Sequence, residues 1–221
     1  MGKLFNLDGS FMGFLGRVAD LLILNLIFVV TCIPIVTIGP ALTALYSVTL
    51  KMVKNEDSYI FKSYFKAFKE SFKISILAWL IILVALIIFV VDYRIMATSA
   101  NGLSEVLTTI FLVLMIICFV VGLYLFPYIA RFEGGLKASF KNATLIMLAS
   151  APWTFLLTII TGGVVAVSIF FIPLQYVLPL WILFGFAALA YVQSFIFRRV
   201  FVRYEPEKEI REEVEQDKIE H

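Results

Sequence analysis

Residues 74–91 read ISILAWLIILVALIIFVV, eighteen positions with no charge and one hydroxyl, Ser75. A helix needs ~20 mostly apolar residues to cross the hydrocarbon core of a bilayer. This stretch therefore predicts a transmembrane helix, and the rest of the chain agrees with it. Four other segments pass the same test, at about 18–38, 106–130, 149–171 and 176–197. The fold class that follows is an all-α, polytopic membrane helix bundle of about five spans.

Composition supports the same conclusion. Of 221 residues, 62% are hydrophobic and 15% charged, where soluble domains average roughly 45–50% and 25%. Mean hydropathy is +0.99. Too little polar surface is available to cover a water-facing core, which excludes a soluble enzyme, a disordered chain and a nucleic-acid binder. The single histidine is His221, so a histidine acid–base site, a Ser–His–Asp triad and a histidine zinc site are not expected. Cys32 and Cys118 lie in apolar runs without C-x-x-C spacing and read as small buried hydrophobes. No phosphate-binding loop and no metal-ligand spacing occurs. The chain is accordingly expected to be non-catalytic and to need no cofactor or metal.

Lysine and arginine placement predicts orientation. Lys51, Lys54, Lys62, Lys66, Lys69 and Lys73 crowd one connection, Arg131, Lys137 and Lys141 another, and Arg198, Arg199 and Arg203 the segment after the last span. The connections between carry Arg94 alone. Basic connections face the cytosol, and so does the C-terminus. Five spans then put the N-terminus outside, despite Lys3 and Arg17. The alternative is a turn at Gly39-Pro40, with Ala41–Val53 returning as a half-helix and the N-terminus inside. Residues 1–17 read as an N-terminal interfacial segment, 18–204 as the membrane domain and 205–221 as a charged cytosolic tail.

Two stretches read as cytosolic amphipathic helices. In the first, Phe61, Phe65, Phe68 and Phe72 form a stripe, with Lys62, Lys66, Lys69 and Lys73 one residue behind. In the second, Phe132 and Phe140 flank Leu136, with Lys137 and Lys141 alongside. Both suit an anionic lipid surface, and both suit a groove on a partner protein.

Inside the membrane, Asp20 and Asn25 are the polar residues that stand out, and intramembrane polar groups often mark a binding site. Asp20 also has Arg17 one turn away, and Asn25 suits an interhelical hydrogen bond. Gly162-x-x-x-Ala166, Ala190 and Ser194 read as close-packing positions.

Phe5-Asn6-Leu7-Asp8-Gly9, Ala19-Asp20-Leu21, Leu24-Asn25-Leu26, Pro34-Ile35-Val36-Thr37-Ile38-Gly39-Pro40 and Thr43-Ala44-Leu45-Tyr46 together resemble the YesL family of small bacterial membrane proteins. The resemblance continues through Lys51-Met52-Val53 and the helix to Lys73. It implies a multi-pass protein of the cytoplasmic membrane, associated with carbohydrate uptake of the ABC type, and it supplies no catalytic residue. Residues 132–140 also resemble, in outline, the cytosolic coupling loop of ABC permeases. The expected function is an accessory or permease-like subunit beside such a system, with the bilayer and ABC transporter subunits as partners and self-association left open. The alternative is an autonomous small transporter or channel with Asp20 and Asn25 in its path.

Overall fold

The structure, a computed structural model, describes residues 2–56, 59–98, 102–171 and 173–204. Residues 205–221, the predicted tail, lie outside the described residues. Helix α1 runs Gly2–Thr31, and a short 3-10 turn, Ile35–Thr37, leads into α2 at Ile38–Val53. Then follow α3 (Ile60–Ala97), α4 (Gly102–Arg131), α5 (Leu136–Ala149) and α6 (Ala151–Phe170). The last crossing is composite: α7 (Leu174–Leu180), a π-helical segment Trp181–Gly185, and α8 (Phe186–Phe201). Among the described residues there is no strand.

Among the described residues, six helices are long and apolar enough to cross a membrane. Five contain the apolar cores of the predicted spans. The sixth, 35–53, arises because the first span stops earlier than expected. Proline disfavours helix in the residue before it, so α1 ends at Thr31 ahead of Pro34. Thr37 Oγ1 then ties the turn together by donating to the carbonyls of Thr31 (2.6 Å) and Pro34 (2.7 Å). The chain thus turns back before Gly39-Pro40, and both of those residues sit in the first turn of α2. Pro40 is harmless there, since the first N–H groups of a helix have no intrahelical partner.

Helix α2 is the axis of the bundle. Over half of its membrane-length window is buried (56%), against none of that of α4 (0%). Its inner surface is made of small residues, including Gly39, Ala41, Thr43 and Ala44, all buried. A Cβ added at Gly39 would overlap the Ser75 carbonyl and sit 2.5 Å from Trp79 Cβ. Here α2 and α3 touch backbone to backbone, and Thr43 Oγ1 meets Ser75 Oγ at 2.8 Å beside the contact. The expected close approach at Gly162 does not occur: that residue is exposed, and an added Cβ would meet nothing within 4 Å. Ala190 and Ser194 are buried as expected, with Ser194 Oγ 2.8 Å from Thr49 Oγ1 of α2.

Helix α3 is continuous over 38 residues, ~57 Å at 1.5 Å per residue. The predicted interface helix, residues 60–73, is therefore not a separate element but the first part of this helix. No glycine or proline lies between Ile60 and Ala97 to end it. The predicted interfacial segment behaves likewise, since α1 starts at Gly2 and runs on into the span. The second amphipathic stretch does break, at Gly134-Gly135, before α5.

Aromatic rings lock α2, α4 and α8 together. Phe197 meets Tyr46 and Tyr124 edge-on at 5.8 and 5.3 Å and stacks on Phe201 at 5.4 Å. Outward-facing positions such as Ile87, Ile116 and Val164 are exposed and apolar, the surface expected of a protein solvated by hydrocarbon.

Candidate functional site

Between α2, α3, α4, α6 and α8 lies a cavity of ≈ 440 Å³. That size is typical of small-molecule sites, which are largely apolar with a few placed polar groups. Leu42 and Leu45 (α2), Ile82 and Leu86 (α3), Phe119 and Leu123 (α4), Val165 (α6), and Trp181, Phe186 and Leu189 form its walls. Gly122 also lines it, leaving space beside Ile82.

Three polar side chains reach the cavity, and they are bonded in series. The Tyr46 hydroxyl donates to Gln193 Oε1, Gln193 Nε2 donates to Thr161 Oγ1 (2.7 Å), and Thr161 donates to the Leu157 carbonyl (2.7 Å). Burying an amide in hydrocarbon is costly unless it is hydrogen-bonded. The series therefore joins α2, α8 and α6 and leaves a wall that is chemically close to lipid. Tyr46→Phe is expected to lower stability by ~1 kcal/mol, the scale of membrane-buried hydrogen bonds. The check is a double-mutant cycle with Gln193→Leu, followed by unfolding in SDS. Strict additivity of the two changes would show that the Tyr46–Gln193 bond contributes nothing.

Asn25 lies outside the cavity and is fully buried. Its Nδ2 donates to the carbonyls of Trp181 (3.0 Å) and Ile182 (2.6 Å), and its Oδ1 accepts the Ala187 N–H (2.8 Å). These groups belong to the π-helical segment and its junction with α8. A widened turn disturbs the regular i→i−4 ladder, and Asn25 supplies the partners. Inside the same turn, a Cβ on Gly185 would lie 2.8 Å from the Trp181 ring. Glycine thus lets the indole fold against its own helix, where Nε1 donates to Ser168 Oγ (3.1 Å).

The structure does not bring Asp20 and Asn25 into one site. Asp20 is half-buried on α1, and neither residue lines the cavity. The aromatic stripe divides: Phe65 and Phe68 pack against the core around buried Tyr64, Phe72 is half-buried, and Phe61 is exposed. The Tyr64 hydroxyl reaches Thr31 Oγ1 at 2.6 Å. Lys62, Lys66, Lys69 and Lys73 are exposed, with Lys66 4.0 Å from Glu70. In the second stretch Phe132 and Phe140 pack against the core, and Lys137 and Lys141 face outward. Cys32 and Cys118 are free, half-buried thiols.

Tyr46 and Gln193 were not legible as a pair. A glutamine within an apolar run was the available signal, and only the fold shows what it faces. A further cluster gathers at one end of the bundle. Arg17 donates to Asn55 Oδ1 (2.6 Å) and to the Tyr191 hydroxyl (3.3 Å), and Arg198 donates to the Val53 carbonyl (3.1 Å). Asn55 holds the left-handed conformation (φ 58°) that ends α2 there.

Residues 21–93 match the family described as "Protein of unknown function, DUF624". The chain is also similar to "Uncharacterized protein YesL" of Bacillus subtilis (strain 168), with 26% identity over 155 residues, 70% of this chain and 73% of that protein. No solved structure matches the chain. The DUF624 match takes in Asn25, the turn at Pro34, all of α2 and the Gly39–Ser75 approach.

Proposed function

We propose, from its similarity to YesL, that the chain is a non-catalytic accessory subunit of the bacterial cell membrane, working beside a carbohydrate uptake system of the ABC type. The observation that carries this reading is the internal use of the bundle's polar groups. Asn25 is spent on the π-helical segment, Tyr46, Gln193 and Thr161 on one another. A sugar needs hydrogen-bonding walls to replace its water, and the cavity is lined mainly by hydrocarbon. This favours an accessory role over an autonomous sugar carrier.

Six crossings also support a simple orientation. With the N-terminus inside, Arg17, the 51–73 lysines, Arg131, Lys137, Lys141 and Arg198 all fall on the cytosolic side, as the positive-inside rule asks. The N-terminal exception of a five-span arrangement vanishes. The bonds from Arg17 to Asn55 and from Arg198 to Val53 agree, since they tie α1, the end of α2 and the end of α8 together. The exposed lysines 62, 66, 69, 73, 137 and 141 are then available to a cytosolic partner or to anionic headgroups.

The test is purification of the tagged chain from its native membrane in mild detergent, with mass spectrometry of what stays bound. Stoichiometric recovery of an ABC ATPase or permease subunit is expected, and it should weaken when the six lysines are changed to glutamine. Recovery of a homo-oligomer alone would overturn the reading. Liposome transport lost in Asp20→Asn, with folding intact, would favour the autonomous carrier instead.

A further inference from the structure

We propose that the central cavity holds an acyl chain of a membrane phospholipid, which enters sideways between α4 and α6. These two helices meet where Thr154 Oγ1 lies 2.8 Å from the Tyr124 hydroxyl. Away from that contact, Phe119 of α4 and Val165 of α6 both line the cavity and are both exposed. The mouth therefore lies between them.

Its depth identifies the occupant. Phe119 is ~18 Å along α4 from Arg131 and ~21 Å from Glu105, at 1.5 Å per residue. The mouth thus opens near the middle of a crossing helix, where the surroundings are hydrocarbon. Water gains little from an apolar cavity, and such cavities stay dry even when large enough to admit it. The polar residues at the inner wall add no attraction for a sugar or an ion, because Tyr46, Gln193 and Thr161 are already bonded in series. A lipid tail gives up no hydrogen bond on entering and gains close contacts with Leu45 and Ile82 that a void would forfeit. This inference is independent of the accessory role.

The experiment reconstitutes the full chain into phosphatidylethanolamine/phosphatidylglycerol vesicles containing a small fraction of phosphatidylcholine with a diazirine near the end of one acyl chain. After illumination, adducts are mapped by peptide mass spectrometry. Leu45 is the reporter: it is 2% exposed, lines the cavity and is shielded from bulk lipid by the surrounding helices. Adducts are expected on Leu45 as well as on outward residues such as Ile87, Ile116 and Val164. Filling the cavity by Ala190→Leu should reduce the Leu45 adduct several-fold and leave the outer adducts unchanged. Gly122→Leu serves the same purpose from the opposite wall, should the first variant lose its monodisperse elution. Labelling confined to Ile87, Ile116 and Val164 would overturn the proposal. So would a Leu45 adduct that survives both fillings in folded protein.

Discussion

Gly39→Ala should destabilise the folded chain by ~3 kcal/mol, the upper part of the range for overpacking a close-fitted core, and Gly39→Val should prevent recovery of folded protein. The added methyl would be placed against backbone, the Ser75 carbonyl, and against Trp79 Cβ at 2.5 Å. Neither can rotate away as a flexible side-chain tip would. Relief requires α2 and α3 to separate, which would also disturb the Thr43–Ser75 hydroxyl contact and the Trp79 Nε1 bond to the Ile35 carbonyl (2.7 Å). Gly162→Ala and Gly163→Ala are the matched controls, because an added Cβ there meets nothing within 4 Å. The measurement is SDS-induced unfolding of the wild type, Gly39→Ala, Gly162→Ala and Gly163→Ala, with Gly39→Val scored by its yield of folded protein. Equal midpoints for Gly39→Ala and Gly162→Ala would show that the α2–α3 approach is looser than described.

The second large effect belongs to Asn25. Asn25→Leu removes three bonds to main-chain groups of the last crossing, at ~0.6–1.7 kcal/mol each for buried interhelical bonds in membranes. A loss of ~2–5 kcal/mol is expected on that basis. Asn25→Asp discriminates further. The acid still accepts the Ala187 N–H, but it offers at most one O–H where the amide offered two N–H donors, so at least one of the Trp181 and Ile182 carbonyls loses its partner. It should therefore be less stable than the wild type. A substrate-binding asparagine behaves otherwise, since its replacement leaves stability intact and abolishes transport. Wild-type unfolding of Asn25→Asp would return Asn25 to the list of ligand contacts.

The lipid-facing helices were legible because they must be apolar on all outward positions, and their windows reach mean hydropathies of 1.9 to 3.3. Helix α2 reaches only 1.3. It is surrounded by protein, so Thr43, Thr49 and Gly39 meet side chains and backbone rather than lipid, and hydropathy has no reason to mark it. The π-helical segment was also hidden, since its free backbone groups are answered by Asn25, more than 150 residues away in sequence. Asn25 itself could be singled out as a polar group in an apolar run, but its role depended on knowing what it faces. The phenylalanine stripe is a different case. Its period correctly indicated a helix, yet period alone does not say whether the ring face meets lipid, a partner or the chain's own core. Phe65 and Phe68 take the last option.

The polar ties of the bundle are strongly non-local, and that sets an order of events during synthesis. Tyr46 waits for Gln193, 147 residues later in translation, Thr49 for Ser194 after 145, and Asn25 for Ala187 after 162. Until α8 has entered the membrane, α2 carries hydroxyls with no final partner into a hydrocarbon medium. The N-terminal helices therefore enter as a provisional assembly, and α8 closes it like the last stave of a cask.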